Sequence, residues 1–197
     1  TAKDEKGLAV LRHTASHVMA EAVQTLFPEA KVAIGPSIDT GFYYDFECQS
    51  FSRDDLDAIE KEMKKIIKKG AKIERFTKSR EDAIAFFKEK NEPYKVELIE
   101  DLPEGEEISF YSQGDWVDLC AGPHLMSTKG VKAFKLLSSS GAYWRGSEKN
   151  QMLTRVYGTA YSTKDELKEH LERMEEAKKR DHNKLGREME LFTTVDV

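Results

Sequence analysis

His13 and His17 are four residues apart, and Cys120 and His124 repeat that interval later in a chain that has only five histidines and two cysteines. On a helix, a spacing of four puts two side chains on one face. The Gly122-Pro123 pair inside Cys120-Ala121-Gly122-Pro123-His124 is a turn signal that can fold the second pair of side chains toward a common point. If the two pairs meet, four nitrogen or sulfur donors converge, enough to bind a metal or to activate water. A two-plus-two ligand set is a zinc pattern, but arms four residues apart differ from the common Cys-x-x-Cys arm, so the spacing alone does not select zinc.

The elements that must carry these residues can be read from periodicity. At 100° per residue, Leu8, Leu11, Ala15, Val18, Met19, Ala22 and Leu26 form one apolar stripe, and His13 and His17 fall roughly opposite it, off the core face. Two solvated surface histidines are the bland alternative for any such pair. The presence of Cys120 and His124 weighs against it. Cys120 ends an alternating run from Trp116, which predicts a strand; on its own it would read as a small buried core residue. Asp118 lies two residues before Cys120, so on an extended strand both point to the same face.

Composition bounds the rest. The chain has 197 residues, 39% of them hydrophobic, which is enough to bury a core in one domain with an appendage and argues against disorder. No apolar run approaches the roughly 20 residues of a membrane helix, and no signal-peptide core is present at the start, so a cytoplasmic protein without membrane contact is expected. Cys48 and Cys120 cannot build a disulfide framework, which suits a reducing compartment. With 31 Lys plus Arg against 36 Asp plus Glu, the net charge is -5, and the basic footprint of an independent nucleic-acid binder is missing. The local basic stretches, Lys64 to Lys69 and Lys129 to Lys135, read by default as solvated faces.

Along the chain, a helix is predicted from about Lys6 to Phe27, then strands at Lys31 to Ile34 and Gly41 to Phe46. Ser52 with Asp55 caps a second helix that runs to Gly70, and Lys72 to Thr77 is a strand. Ser79 with Asp82 caps a short helix through Phe86 and Phe87, followed by a break and a short amphipathic piece at Glu92 to Val96. Four further strands are expected at Glu107 to Tyr111, Asp115 to Cys120, Val131 to Leu137 and Met152 to Ala160, pairing antiparallel. Thr163 with Glu166 opens a last helix. Leu185, Met189, Leu191 and Phe192 have no later apolar partner in the sequence, so the end reads as a linker toward a further domain. The expected fold class is α+β, a curved, mainly antiparallel sheet packed with a long helix, with a domain over 1–161 and a helical linker over 162–197. The cleft is expected between the His-bearing helix and the Cys120 strand.

Seven landmarks in order carry a family resemblance: Arg12 to His17, Ile34-Gly35-Pro36, Gly41 to Asp45, Pro93-Tyr94-Lys95-Val96, Asp118 to His124, Gly141 to Gly146, and Arg180 to Gly186. With these the chain resembles the editing domain that threonyl-tRNA synthetases, where it is the second amino-terminal domain, share in outline with alanyl-tRNA synthetases and freestanding alanyl editing proteins. Alanyl relatives typically show Cys-Gly-Gly-Thr-His at the second pair, whereas Cys120-Ala121-Gly122-Pro123-His124 and Tyr143-Trp144-Arg145 look like the bacterial threonyl branch. The small domain that usually precedes this one and the ATP-binding aminoacylation domain that usually follows it are not in the sequence, so the chain looks like an excised fragment.

The resemblance implies hydrolysis of a mischarged ester, serine on the 3′ end of tRNA for threonine, by a fragment that does not itself aminoacylate. It implies His13 as general base and Lys95 as oxyanion stabiliser, with His17, Gly35, Tyr44, Asp118, Cys120 and His124 around the substrate. A histidine has a reference pKa of about 6.5, suited to that work. Without the resemblance, Lys95 would read as an exposed lysine and Tyr44 as a core strand aromatic. Gly35, having no Cβ, could let the backbone approach the substrate. No cofactor is expected to be required for editing. Zinc at His13, His17, Cys120 and His124 is the open branch, and four protein ligands would leave no free position for hydrolytic chemistry. ATP belongs only to the missing domain of the parent, for which the resemblance implies a homodimer held through domains outside this chain. A structural zinc module, or a tRNA-binding module without catalysis, are the alternatives.

Overall fold

The computed structural model describes residues 4–192. Its elements in chain order are α1 (Glu5–Leu26), β1 (Lys31–Val32), β2 (Ser37–Ile38), β3 (Gly41–Glu47), α2 (Arg53–Lys69), β4 (Ile73–Lys78), α3 (Arg80–Glu89), α4 (Pro93–Glu100), β5 (Ile108–Gln113), β6 (Trp116–Leu119), β7 (Ala133–Tyr143), β8 (Met152–Tyr161) and α5 (Lys164–Phe192), with short 3-10 turns at Thr128–Gly130 and Trp144–Gly146. This is the expected α+β class with antiparallel pairing throughout. The strands, however, divide into two sheets instead of one: β1-β3-β8-β7 with β2 also on β3, and a separate β4-β5-β6.

Local chemistry sets the helix ends. Ser52 and Asp55 form a reciprocal capping box on α2, and Gly70, at φ 67°, closes it in the left-handed region with its N–H on the Ile66 and Ile67 carbonyls. Asp54 and Asp55 in the first turn and Lys68 and Lys69 in the last complement the helix dipole. Ser79 caps α3 through the Asp82 N–H. Leu56, Ile59, Met63 and Ile66 of α2 are buried at helical spacing in the main core, with Val18, Met19 and Val23 of α1 and Phe42, Phe46, Val156 and Ala160 of the large sheet. Each such side chain taken fully out of water contributes about 1.5–3 kcal/mol. A second core joins α3, α4 and the small sheet through Phe87, Ile99, Ile108 and Phe110.

Two expectations are corrected. Helix α1 is covered on more than one side: Arg12, Thr14, Ser16 and His17 are buried along with the apolar stripe, and His17 is only 4% exposed, while Leu26 of the stripe is 38% exposed. The second sheet and the 120–124 loop cover the face that the stripe alone leaves to solvent. Strand β7 runs on through Ser138–Tyr143, which reads as a turn by composition, because its backbone pairs with β8 from Ala133↔Tyr161 to Tyr143↔Met152. Beyond its first turns α5 is exposed, Leu185 by 56%; the side chains of Met189, Leu191 and Phe192 lie outside the described residues, as do residues 193–197 of the expected linker. Among the described residues, no helix is long and apolar enough to cross a membrane.

Candidate active site

The two ligand pairs meet. Helix α1 presents His13 and His17 one turn apart. The Cys120 N–H donates to the Ser109 carbonyl at 3.1 Å, which extends the β5–β6 pairing one residue past β6. The chain then turns at Gly122, φ 76°, where a Cβ would stand 2.2 Å from the Tyr111 hydroxyl, so only glycine fits. That turn returns His124 toward Cys120. Cys120 Sγ lies 3.3 Å from His13 Nε2 and 3.2 Å from His124 Nε2, and accepts from the Gly122 N–H at 3.2 Å. The His124 ring centroid is 4.2 Å from those of both His13 and His17. Donor atoms of all four residues lie within 4.8 Å of one another.

Burial keeps this cluster uncharged. Desolvation lowers the His13 pKa, against an upward pull from the Pro123 backbone. It drives His17 well below its ordinary value, helped by the neighbouring His13 and Lys95 charges. His124 falls to about 2, from burial first and then the His17 and His13 charges, while burial pushes the Cys120 thiol up to about 11. Neutral imidazoles are the protonation state that metal ligation requires, and a thiol need lose one proton to join them. In donor type and spacing the four residues can therefore hold a metal ion.

Beneath the cluster is a buried polar arm drawn from three elements. Lys95 of α4 and Asp118 of β6 are 2% and 1% exposed, with Nζ 2.7 Å from Oδ1. That contact is an ion pair lacking hydrogen-bond alignment, which leaves Oδ1 the buried side-chain oxygen without an aligned donor among the described residues. Tyr44 of β3 donates to Asp118 Oδ2 at 2.6 Å and accepts from Lys95 Nζ at 3.0 Å. Burial and the Asp118 carboxylate hold the Tyr44 pKa well above its ordinary value, so it stays protonated. His17 Nε2 lies 3.6 Å from Asp118 Oδ2 and joins arm to cluster.

A hollow of about 320 Å³ opens on the cluster between α1 and the 120–124 loop, lined by Lys6, Ala9, Val10, His13, Ser37, Gly122 and Pro123. The expected cleft lies between the His-bearing helix and the Cys120 strand; this hollow is lined instead by the helix and the loop that follows the strand, at Gly122 and Pro123. His13 is in its wall; His17, Tyr44, Lys95 and Asp118 do not line it. A larger hollow of about 600 Å³ between α2, β7 and α5 is lined by none of these residues. Chemistry, not size, identifies the site.

All eight sequence-derived site residues fall in this neighbourhood, with Gly35 in a distinct part. A Cβ there would sit 2.0 Å from the Tyr44 ring, so glycine at this position makes room for Tyr44, and its carbonyl accepts from Ser16 Oγ at 2.8 Å. Residues missed by sequence reasoning are Trp116, whose ring is 5.5 Å from that of His17, Tyr111, 4.6 Å from that of His124, and Thr14, whose hydroxyl is 3.2 Å from His124 Nδ1. Strand parity with Asp118 and Cys120 was the available signal for Trp116. Thr14 sits inside the His13–His17 interval, where nothing in the spacing distinguishes it.

Residues 108–157, which hold β5, β6, the Cys120–His124 turn, β7 and part of β8, match the model of the Threonyl and Alanyl tRNA synthetase second additional domain. That stretch contains two of the seven landmarks, Asp118 to His124 and Gly141 to Gly146. Over 98% of its length it is 64% identical to the threonine–tRNA ligases of Acetivibrio thermocellus and Clostridium novyi, and 64% identical to that of Clostridium botulinum. The chain spans about 30% of the length of these relatives.

Proposed function

We propose that this chain hydrolyses a mischarged aminoacyl ester, serine on the 3′ end of tRNA for threonine, as the editing part of a threonine–tRNA ligase. Serine differs from threonine by one methyl, and a methyl-sized difference in a pocket is worth about 1–3 kcal/mol, too little for faithful charging without a second hydrolytic sieve. The observation that carries the reading is a neutral imidazole, His13, in the wall of a hollow that it shares with the aliphatic or small residues Ala9, Val10, Gly122 and Pro123 and with the polar Lys6 and Ser37. Its volume, about 320 Å³, lies at the lower end of the roughly 300–1,000 Å³ usual for small-ligand sites and suits an aminoacyl group.

In the proposed reaction His13 takes a proton from water, directly or through the ribose hydroxyl, as the water oxygen attacks the ester carbonyl. The carbonyl π pair moves to oxygen, then re-forms the C=O as the ribose oxygen leaves and takes the proton back from His13. The products are free serine and uncharged tRNA. Of the three N–H donors on Lys95, one goes to Tyr44 and the contact with Asp118 is an ion pair without an aligned hydrogen bond, so a further N–H can serve the developing oxyanion when the seryl group enters past His13. Asp118 and Cys120 bind the seryl ammonium and hydroxyl; His17, Tyr44, Gly35 and His124 complete the surroundings. ATP-dependent charging, a homodimeric assembly and a cytoplasmic location are assigned to the longer synthetase of which this reading makes the chain a part, with residues 1–161 as the hydrolase and 162–197 as the link onward.

The test is to incubate the chain with seryl- and threonyl-tRNA and follow deacylation. Selective loss of the seryl ester, abolished in His13→Ala and Lys95→Ala, is expected. Equal rates on both esters, or rates unmoved by either substitution, overturn it. A second reading, a zinc ion held by His13, His17, Cys120 and His124, is favoured by the mutual approach of the four donor atoms. Zinc would supply a fixed tetrahedral link between α1 and the 120–124 loop.

A further inference from the structure

Thr14 stands one residue after His13, yet its side chain turns to the opposite member of the cluster. The residue is fully buried, and its hydroxyl has three neighbours. Oγ1 is 2.9 Å from the Val10 carbonyl, 3.0 Å from the Leu125 N–H and 3.2 Å from His124 Nδ1. A hydroxyl has one proton to give and two lone pairs to accept with. The Leu125 N–H can only donate and so takes one lone pair. The Val10 carbonyl can only accept, and as the shortest of the three contacts, in the geometry helical threonines use toward the preceding turn, it takes the proton. One lone pair is left, and His124 Nδ1 can use it only as an N–H donor.

We propose that Thr14 is a positioning residue that holds neutral His124 with its proton on Nδ1 and its bare Nε2 turned to Cys120. Ring orientation and tautomer of a site histidine are commonly set this way, by the partner of the nitrogen that does not face the ligand. The consequence lies on the other side of the ring. Nε2 of His124 and Nε2 of His13 both approach Cys120 Sγ, at 3.2 and 3.3 Å, and the single S–H can serve only one of them. Thr14 thereby makes the cluster richer in lone pairs than in protons, which suits it to receive a donor such as the ammonium of an aminoacyl ester, or a cation. The opposite tautomer would point an N–H at Sγ and remove that acceptor. This inference deepens the proposed hydrolase reading and rests on it only for its effect on rate.

Long-range proton–nitrogen NMR of histidine-labelled, chelator-treated protein at neutral pH reads the tautomer without any substrate. The native chain is expected to show His124 protonated at Nδ1. Thr14→Ser, which keeps the hydroxyl, should retain that pattern, and Thr14→Val should lose it in favour of Nε2–H or a mixture. Seryl ester hydrolysis should fall about tenfold or more in Thr14→Val and recover in Thr14→Ser. An Nε2–H tautomer in the native chain, or an Nδ1–H signal unchanged in Thr14→Val, overturns the proposal; the first of these needs no variant to fold. Absence of hydrolysis in the native chain with the expected tautomer would sink the hydrolase reading and leave the assignment of Thr14 standing.

Discussion

Lys95 and Asp118 form an ion pair at 2.7 Å with side chains only 3% and 1% exposed, linking α4 to β6, two elements that border the same second core. Removing one member of a buried pair strands the other charge away from water, at a cost of about 3–5 kcal/mol. Lys95→Met and Asp118→Asn should each lower the unfolding free energy in urea by that order. The double variant should lose much less than the sum, because with both partners replaced no uncompensated charge remains. Single variants within about 1 kcal/mol of the native chain would show that the pair is not desolvated as the burial requires.

Stability should peak between neutral and mildly alkaline pH in the metal-free chain. His13, His17 and His124 all have folded pKa values below the ordinary 6.5, His124 at about 2. As pH falls below 6.5 the unfolded state takes up protons that the folded state refuses, so stability declines. For Cys120 the folded value is raised from 9.0 to about 11. The unfolded thiol therefore ionises first as pH rises above 9, and stability declines there too. Urea midpoints measured from pH 5 to 10 should trace this dome; His124→Phe, which removes one of the three depressed groups, should flatten its acid side. A midpoint that rises steadily toward pH 5 is incompatible with neutral, buried imidazoles.

Gly35→Ala tests why glycine precedes Pro36. The added Cβ would lie 2.0 Å from the Tyr44 ring, and overpacking of this kind costs about 1–3 kcal/mol. Displacement of the ring also breaks its hydrogen bonds to Asp118 and Lys95, so hydrolysis should fall with stability. Combining Gly35→Ala with Tyr44→Leu, which vacates that space, should cost less than the two single changes added together. Full additivity in the denaturation data would mean that the two residues do not touch.

What the sequence reveals about this molecule is mostly local. Ser52 with Asp55, Gly70, and Ser79 with Asp82 mark helix ends by hydrogen bonds that close within a few residues, and all of them form. The ligand pairs are legible because their spacing and the Gly122-Pro123 turn are local too. Pairing between distant strands carries no such mark. Nothing near Phe110 tells it to lie opposite Phe76 and Leu119 in a small separate sheet, and nothing in Ser138-Ser139-Ser140 shows that β8 will continue to pair with them. His17 is the sharpest case. The helical wheel puts it off the apolar stripe, yet Trp116 and the 120–124 loop cover it, a fact set by tertiary packing alone.

Zinc separates the two readings of the His13, His17, Cys120 and His124 cluster. If the ion takes all four donors, it occupies the Nε2 lone pair that His13 needs as a base, and no coordination position remains for a water. Loading chelator-treated protein with zinc should therefore raise its denaturation midpoint while suppressing seryl ester hydrolysis. At an ion concentration a hundredfold above Kd the gain is about 2.7 kcal/mol. Because the three imidazoles are already neutral and the Cys120 thiol is not ionised at neutral pH, binding should release close to one proton per ion, measurable with an indicator in weak buffer. Cobalt in place of zinc should give a thiolate charge-transfer band that Cys120→Ser abolishes. Hydrolysis that rises with zinc and is lost to chelator would instead make the metal the source of the nucleophile, and His13 one of its ligands in place of the base.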